Sequence, residues 1–291
     1  MTYPEPNITV DVDLTNPGQF FACCGLLELA SRIDPYAVGG FDACRFAVWG
    51  EGVQSVLDRL FECRVHTERL IDASGESDDD NDDGGGVDSH RGRICPMTLA
   101  EPFNLRLDWW NDEQAQEQKL KTWTAGQRVT DLFLGYHKRQ KRKGSCVLKP
   151  IPSMRDHFRC AVKQFPNDWL RAPLPIQVPM AFSYDSRLSR NNALDLGHTE
   201  ESKMAFSPAV DVLTVIGLQR FRPITIETWN RNRFYTWHHP LPAETASAAA
   251  IGLIPQVTGG CFEFPIKPRD AKGRYKLFGH AQPVRRFYQH V

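Results

Sequence analysis

The chain has 291 residues, of which 41% are hydrophobic and 11% aromatic, and its formal net charge is zero. This composition supplies apolar side chains for one large folded domain or two, and it excludes an intrinsically disordered protein. The sequence contains neither an apolar stretch of the roughly 18 residues that a membrane span needs nor an amino-terminal signal-peptide pattern. We therefore expect a soluble cytoplasmic protein without a membrane partner.

The opening of the chain predicts a β-α-β-α order over residues 1–73. Alternating apolar residues predict a strand over Ile8–Leu14, and a cap-and-proline start predicts a deeply buried helix over about Pro17–Arg32. A second strand is expected at Phe41–Trp49 and an amphipathic helix at Val53–Cys63. This order is compatible with an RRM-like or ferredoxin-like element at the start of the chain.

Residues 74–93 carry seven acids and a triple glycine and offer almost no apolar side chain to bury, which predicts a disordered acidic insertion. The acids lack the terminal glutamate of a calcium-binding loop, so we expect no metal there. Residues 94–291 then form a basic carboxyl-terminal part, belonging to the same domain or to a second one. The predicted fold class is α+β, with a mixed or antiparallel sheet and flanking buried helices.

Elements of the carboxyl-terminal part are less regular. We expect a strand at Phe103–Trp110, a helix over Gln114–Tyr136 that runs directly into basic residues, and a short strand at Met180–Tyr184. Two further helices begin at Pro208 and Pro242. These two and the first helix each carry a Gly-Leu pair, which indicates close backbone packing at the glycine of each helix.

Charge is distributed unevenly between the two ends of the chain. Residues 1–118 have a net charge of −15 and residues 119–291 have +15. This asymmetry indicates either binding to a polyanion or an oppositely charged partner, or compensation within the molecule. The charge count alone does not decide between them.

The sequence shows no set of residues typical of catalysis. The phosphate-binding, nucleophile-elbow and zinc-helix motifs are absent, and the eight cysteines, which form no C-x-x-C pair, are expected to be reduced thiols. Adjacent His238 and His239 point in different directions on a regular element, which disfavours a metal site. A metal-dependent nuclease site would form only if the fold brought four residues together. They are Asp185, Asp195, His198 and Glu200. We predict no catalytic residue and no metal ligand.

Two segments have the composition of a nucleic-acid interface, which needs cations for phosphates and aromatic rings for bases. The first lies at the predicted helix end and contains Lys138, Arg139, Lys141, Arg142 and Lys143. Its alternative role is to cap that helix and keep the surface solvated. The second is a predicted strand whose alternation places on one face Arg231, Arg233, Tyr235 and Trp237. Its alternative is a core strand with a cationic outer face.

Three blocks of the sequence resemble a known family. They are VDVDLTNPGQFFACCGLLELA at 10–30, LKTWTAGQ at 120–127, and FSYDSRLSRNNALDLG followed by PAVDVLTVIGLQRFRP within 182–223. Together they are similar to a small CRISPR-associated protein family of the subtype I-G systems, formerly called I-U. The blocks span most of the chain outside the acidic insertion and the carboxyl-terminal tail.

The resemblance implies a subunit of a guide-RNA-containing surveillance complex that has no cofactor and no catalytic activity. Its partners would be guide RNA, target DNA and other CRISPR-associated proteins. Two roles remain open, a backbone subunit that grips guide RNA and a reduced large subunit that contacts target DNA. Two rival functions also remain: a metal- or histidine-dependent nuclease that processes guide RNA, and a protein-protein scaffold without nucleic-acid affinity.

Overall fold

The computed structural model describes residues 4–67, 96–111, 120–123, 128–142, 145–177, 182–187, 203–226, 231–268 and 276–284. The helices of this part of the chain are α1 (Pro17–Ile33), α2 (Val53–Glu62), α3 (Val129–Leu134), α4 (Met154–Gln164), α5 (Pro208–Gly217) and α6 (Ala243–Ala250). Its strands pair only in antiparallel fashion. The predicted α+β class is therefore confirmed. The acidic insertion lies outside the described residues.

The strands form five small sheets among these residues. In chain order they are β1 (Ile8–Asp11), β2 (Val38–Asp42), β3 (Arg45–Trp49), β4 (Val65–Thr67), β5 (Met97–Leu99), β6 (Leu105–Leu107), β7 (Tyr136–Arg142), β8 (Ser145–Ile151), β9 (Leu174–Gln177), β10 (Lys203–Phe206), β11 (Ile224–Thr225), β12 (Arg231–Trp237), β13 (Thr258–Pro268), β14 (Lys276–Phe278) and β15 (Gln282–Pro283). The largest sheet has the order β11-β12-β13-β14, with β15 also paired to β13.

The amino-terminal sheet has the order β1-β3-β2. The sequence predicted one strand at Phe41–Trp49, but this region is a hairpin, because Ala43 adopts a positive φ of 49° and reverses the chain. The unit β1-α1-β2-β3-α2 thus follows the strand order of a ferredoxin-like fold. Within the described residues, no fourth strand pairs with β1, so the arrangement matches that fold only in part.

Helices α1 and α5 form the centre of the molecule. Every residue of α1 from Pro17 to Ala30 is buried, and so is all of α5, as the nearly continuous apolar sequence of both helices requires. Cys23 and Cys24 are fully buried in α1, and burial raises the pKa of both thiols. The prediction that these cysteines act as small hydrophobic residues is confirmed.

One apolar core joins the first 73 residues to the carboxyl-terminal part. The Phe20 ring stacks on Phe234 with the ring centres 4.1 Å apart, and Trp237 meets Phe41 edge to face at 4.9 Å. These contacts place β12 directly against α1 and β2. The sheet that carries the second predicted binding segment is therefore anchored in the main core.

The carboxyl-terminal part differs from the sequence prediction in two elements. Within the described residues, the helix expected over Gln114–Tyr136 is limited to α3, which ends at Leu134. The strand expected at Phe103–Trp110 is limited to β6, and a 3₁₀ turn follows at Trp109–Asn111. The two tryptophans of that turn are buried rather than alternating, because both pack against Trp123.

Candidate nucleic-acid interface

The basic segment after α3 is a β-hairpin and not a helix end, which corrects the prediction. Gly135 takes a φ of 77°, and a side chain there would lie 2.4 Å from the carbonyl oxygen of Ile151. The chain therefore leaves the helix at Gly135 and enters β7, which pairs with β8 over seven residue pairs. These cations therefore lie on a strand and not in the last turn of a helix.

Four of the five predicted cations lie on β7: Lys138, Arg139, Lys141 and Arg142. Lys143 lies outside the described residues. The pairing register makes Lys149 of β8 the direct partner of Lys138, a cation that reasoning from the sequence missed. Both strands of the hairpin therefore carry basic residues, and two of these residues occupy paired backbone positions.

The second predicted segment forms β12, where the expected alternation holds for three residues. Arg231, Arg233 and Tyr235 are exposed or half-buried, while Asn232 and Phe234 between them are buried. The side chain of Arg231 is 56% exposed and that of Arg233 is 33% exposed. The outer face of β12 thus presents two guanidinium groups and one aromatic ring.

Trp237 does not belong to this face, and its placement there is a wrong prediction. The pairing of β12 with β13 is irregular between Tyr235 and Trp237, and this irregularity turns the Trp237 side chain inward. Its ring is fully buried, and its Nε1 donates a hydrogen bond of 2.7 Å to the carbonyl oxygen of Gly39. Trp237 is a core residue and has no surface on which a base could stack.

Both arginines of β12 bind one acid on the neighbouring strand. Nη2 of Arg231 lies 2.8 Å from Oε2 of Glu263, and Nε of Arg233 lies 3.0 Å from Oε1 of the same carboxylate. The side chain of Glu263 is only 11% exposed. This carboxylate fixes the positions of both guanidinium groups and neutralises one of their two charges.

The Tyr235 ring is held at the edge of the arginine pair. Partial burial raises the pKa of its hydroxyl, and the neighbouring Arg233 counteracts that rise. Gly252 packs against the ring, because a side chain at Gly252 would lie 2.8 Å from a ring carbon. One part of the ring is therefore covered by the chain, and the ring keeps a fixed orientation beside the arginines.

The third block of the resemblance is tied to the first by a buried polar network. Nδ2 of Asn16 donates to Oδ1 of Asp185 at 2.8 Å, and the Ser186 backbone N–H donates to Oδ1 of Asn16 at 3.1 Å. The Arg187 guanidinium binds the same Asp185 carboxylate, with Nε 2.9 Å from Oδ1. Asp185, which was considered as part of a nuclease site, is buried and fully engaged in this network.

Asp211 of α5 performs a similar structural function. Its carboxylate accepts backbone N–H bonds of 2.9, 3.2 and 2.9 Å from Phe182, Ser183 and Tyr184, so these residues form no strand. Complete burial raises the pKa of Asp211 to about 7, although the three N–H donors oppose that rise. Trp123 of the second block packs edge-on against Phe182 at 5.5 Å. Described residues of all three blocks therefore meet in the interior.

Among the residues that the structure describes, no nuclease site is assembled. His238 and His239 are both exposed, and the described residues contain no group of three or more histidine, cysteine, aspartate or glutamate side chains that could hold a metal ion. Asp195, His198 and Glu200 lie outside the ranges that the structure describes.

Comparison with known proteins does not identify a family, because no protein-family model and no curated protein matches the chain. No helix among the described residues has the length and apolar character that crossing a membrane requires.

Proposed function

We propose that the chain is a non-catalytic subunit of a type I CRISPR RNA-guided surveillance complex of subtype I-G, acting in antiviral defence in the cytoplasm. Its partners are guide RNA or target DNA and the other CRISPR-associated proteins of the complex. In complexes of this type, base pairing reads the sequence and the protein contacts the backbone. The lysine and arginine side chains of this chain then act on phosphate groups.

The observation that carries this proposal is the basic hairpin. Its two strands bring Lys138 and Lys149 to one register position, next to the other cations of β7. Basic residues concentrated on two paired strands are the composition that binding to a polyanion calls for. A phosphate backbone carries negative charges at regular spacing along its length. Basic residues that follow one another along an extended strand can each face one of these charges.

The outer face of β12 supports the same proposal. Arg231 and Arg233 are oriented by Glu263, and the Tyr235 ring lies beside them. A guanidinium can bind phosphate with two parallel N–H bonds, and a fixed aromatic ring can stack with an unpaired base. The site residues that remain in the proposal are therefore the hairpin cations together with Arg231, Arg233 and Tyr235.

The proposal is tested by purifying the tagged chain after co-expression with its neighbouring genes and a repeat array. We expect stoichiometric protein partners, a high ratio of absorbance at 260 to 280 nm, and RNA of uniform guide length on sequencing. A monomer without nucleic acid or partners would contradict the proposal. Partners without any nucleic acid would instead favour the scaffold function.

A matched variant separates the nuclease alternative in the same experiment. His238→Gln combined with His239→Gln removes both exposed imidazoles and leaves the cationic segments unchanged. If the chain is non-catalytic, the length and amount of the co-purified RNA stay as in the wild type. Accumulation of unprocessed repeat RNA in this variant would favour the nuclease instead.

A further inference from the structure

The basic hairpin, formed by β7 and β8, is a two-stranded ribbon. Among the strands that the structure describes, these two pair only with each other, and no third described element packs extensively against them. At the base of the ribbon, Ile151 packs against the core and its pairing partner Tyr136 is 38% exposed. Seven residue pairs extend from this base, which at about 3.4 Å per residue gives a length of roughly 20 Å.

Basic residues occupy both faces of this ribbon. Successive residues of a strand alternate between the two faces of a sheet. Lys138 and Arg142 therefore belong to one face, and Arg139 and Lys141 belong to the other. Lys149 is paired with Lys138 and shares its face. Neither strand contains an acidic residue, so the positive charge of the ribbon is distributed over both faces.

This distribution of charge suits a ligand that lies on both sides of the ribbon. A single phosphate backbone can lie against one face only and leaves the basic residues of the other face without an anion. The groove of a duplex is bounded by two phosphate backbones, one from each strand. A ribbon that lies in the groove has one of these backbones beside each of its faces.

The dimensions of the ribbon favour the major groove of DNA. Packed sheets lie about 10 Å apart, which approximates the thickness of one sheet with its side chains. The major groove of B-DNA is about 12 Å wide and admits a two-stranded ribbon, whereas the minor groove is only about 6 Å wide. The major groove of an RNA duplex is deep and narrow, and side chains cannot read it. Duplex DNA is therefore the double-stranded nucleic acid that fits the ribbon.

We propose that the basic hairpin enters the major groove of duplex DNA and contacts the phosphate backbones on both sides of that groove. The inference rests on the proposed function, which leaves both guide RNA and target DNA open as ligands, and it assigns the hairpin to duplex DNA. Lys138, Arg142 and Lys149 lie beside one backbone, and Arg139 and Lys141 lie beside the other. Because these contacts are with phosphates, they do not depend on the base sequence.

The test compares variants of the two faces. Lys138→Gln with Arg142→Gln removes two charges from one face, and Arg139→Gln with Lys141→Gln removes two from the other. Fluorescence anisotropy at several salt concentrations measures binding to a short duplex DNA and to one of its separated strands. We expect each double variant to reduce the magnitude of the salt slope on duplex DNA by up to about 1.8, or about 0.9 for each lost phosphate contact. A separated strand contacts one face at a time, so we expect it to bind more weakly than the duplex.

The matched control removes two exposed charges outside the hairpin. Arg45→Gln on β3 is combined with Arg64→Gln, just before β4, and we expect this variant to keep the wild-type salt slope. A reduced slope in the variant of one hairpin face only would overturn the inference, because one face would then suffice for DNA binding. Tighter binding of the separated strand than of the duplex would overturn it in favour of a single-stranded ligand.

Dimethyl sulfate footprinting identifies the groove in the same complexes. This reagent methylates N7 of guanine, an atom that lies in the major groove. We expect the wild-type chain to protect N7 of the guanines that it covers and both face variants to lose this protection. Guanines that stay reactive when the duplex is saturated with protein would overturn the assignment to the major groove.

Co-purification keeps this inference separate from the proposed function. Guide-length RNA and protein partners that co-purify with a chain unable to bind duplex DNA would retain the proposed function and remove the inference. Duplex binding that requires both faces, without co-purified RNA or partners, would support the inference and contradict the role as a subunit of a guide-RNA complex.

Discussion

Gly25 of α1 and Gly217 of α5 lie in backbone contact at the point where the two central helices cross. A side chain at Gly217 would lie 2.8 Å from the backbone nitrogen of Gly25 and 2.2 Å from the carbonyl oxygen of Phe21. A side chain at Gly25 would lie 2.1 Å from the carbonyl oxygen of Leu213. Backbone atoms cannot move aside as a flexible side chain does, so the helices approach this closely only because both positions are glycine.

The first prediction concerns this crossing. Gly25→Ala inserts a methyl group against backbone and should lower the free energy of unfolding by about 1–3 kcal/mol, the usual cost of overpacking a core. Urea unfolding followed by circular dichroism measures the change. Gly52→Ala is the control, since nothing lies within 4 Å of a side chain at that helix cap and the expected loss is below about 1 kcal/mol. Equal losses in the two variants would contradict the packing argument.

The central helices could be predicted from the sequence because their signals are local. The apolar run and the Asn16-Pro17 start predicted α1 to within one residue of its end, and Gly25 and Gly217 were correctly predicted to allow close packing. The same prediction was wrong for Gly252. That glycine lies beyond the end of α6, takes a φ of 76°, and accommodates the Tyr235 ring instead of a helix backbone.

The candidate interface was harder to predict because it depends on pairing between strands. No local signal placed Glu263 under Arg231 and Arg233, since the contact depends on the register of β12 with β13. The irregularity that buries Trp237 arises in the same pairing. The hairpin was mistaken for a helix end because the residues before Gly135 suit a helix, whereas the pairing of β7 with β8 after Gly135 joins two segments and has no local signal.

The second prediction follows from the buried Asp211. Its pKa of about 7 in the folded chain exceeds the ordinary value of 3.8, so the folded state keeps a proton that the unfolded state releases between those pH values. The contribution of Asp211 to stability is therefore largest below about pH 4 and is lost as the pH rises to about 7. The asparagine in Asp211→Asn does not titrate, so the stability of this variant should lack the pH-dependent contribution of residue 211.

Urea unfolding of both proteins at intervals from pH 4 to pH 8 measures the difference. We expect the free energy of unfolding to fall more steeply with pH in the wild type than in Asp211→Asn. The difference between the two slopes corresponds to the release of at most one proton on unfolding. Both proteins contain the other acids, so only the difference between the two curves is interpreted. Parallel curves would mean that the carboxylate stays ionised in the folded chain, held by its three N–H donors.

The third prediction tests the basic hairpin. Charge reversal of the β7 cations and of the next residue in the chain, by glutamate at Lys138, Arg139, Lys141, Arg142 and Lys143, should weaken binding to single-stranded RNA regardless of RNA sequence. The slope of log affinity against log salt should fall in magnitude by about 0.7 for each phosphate contact that is lost. Fluorescence anisotropy at several salt concentrations gives both quantities.

A single reversal provides the matched control for the hairpin. Arg45→Glu on β3 makes the same charge change as Lys138→Glu, but it lies on an exposed position in the acidic half of the chain. We expect Arg45→Glu to retain the wild-type salt slope while Lys138→Glu reduces it. An equal effect of both variants would show that net charge alone governs binding and that the hairpin makes no specific contact.

The fourth prediction concerns Glu263, which competes with a phosphate for Arg231 and Arg233. Glu263→Gln removes the negative charge, keeps a hydrogen-bond acceptor between the guanidinium groups, and should raise RNA affinity by about two- to fivefold, the scale of a partly exposed ion pair. Arg231→Gln should lower it. Weaker binding of Glu263→Gln in anisotropy measurements would contradict this prediction, because it would mean that the orienting effect of the carboxylate on the two arginines outweighs its competition with phosphate.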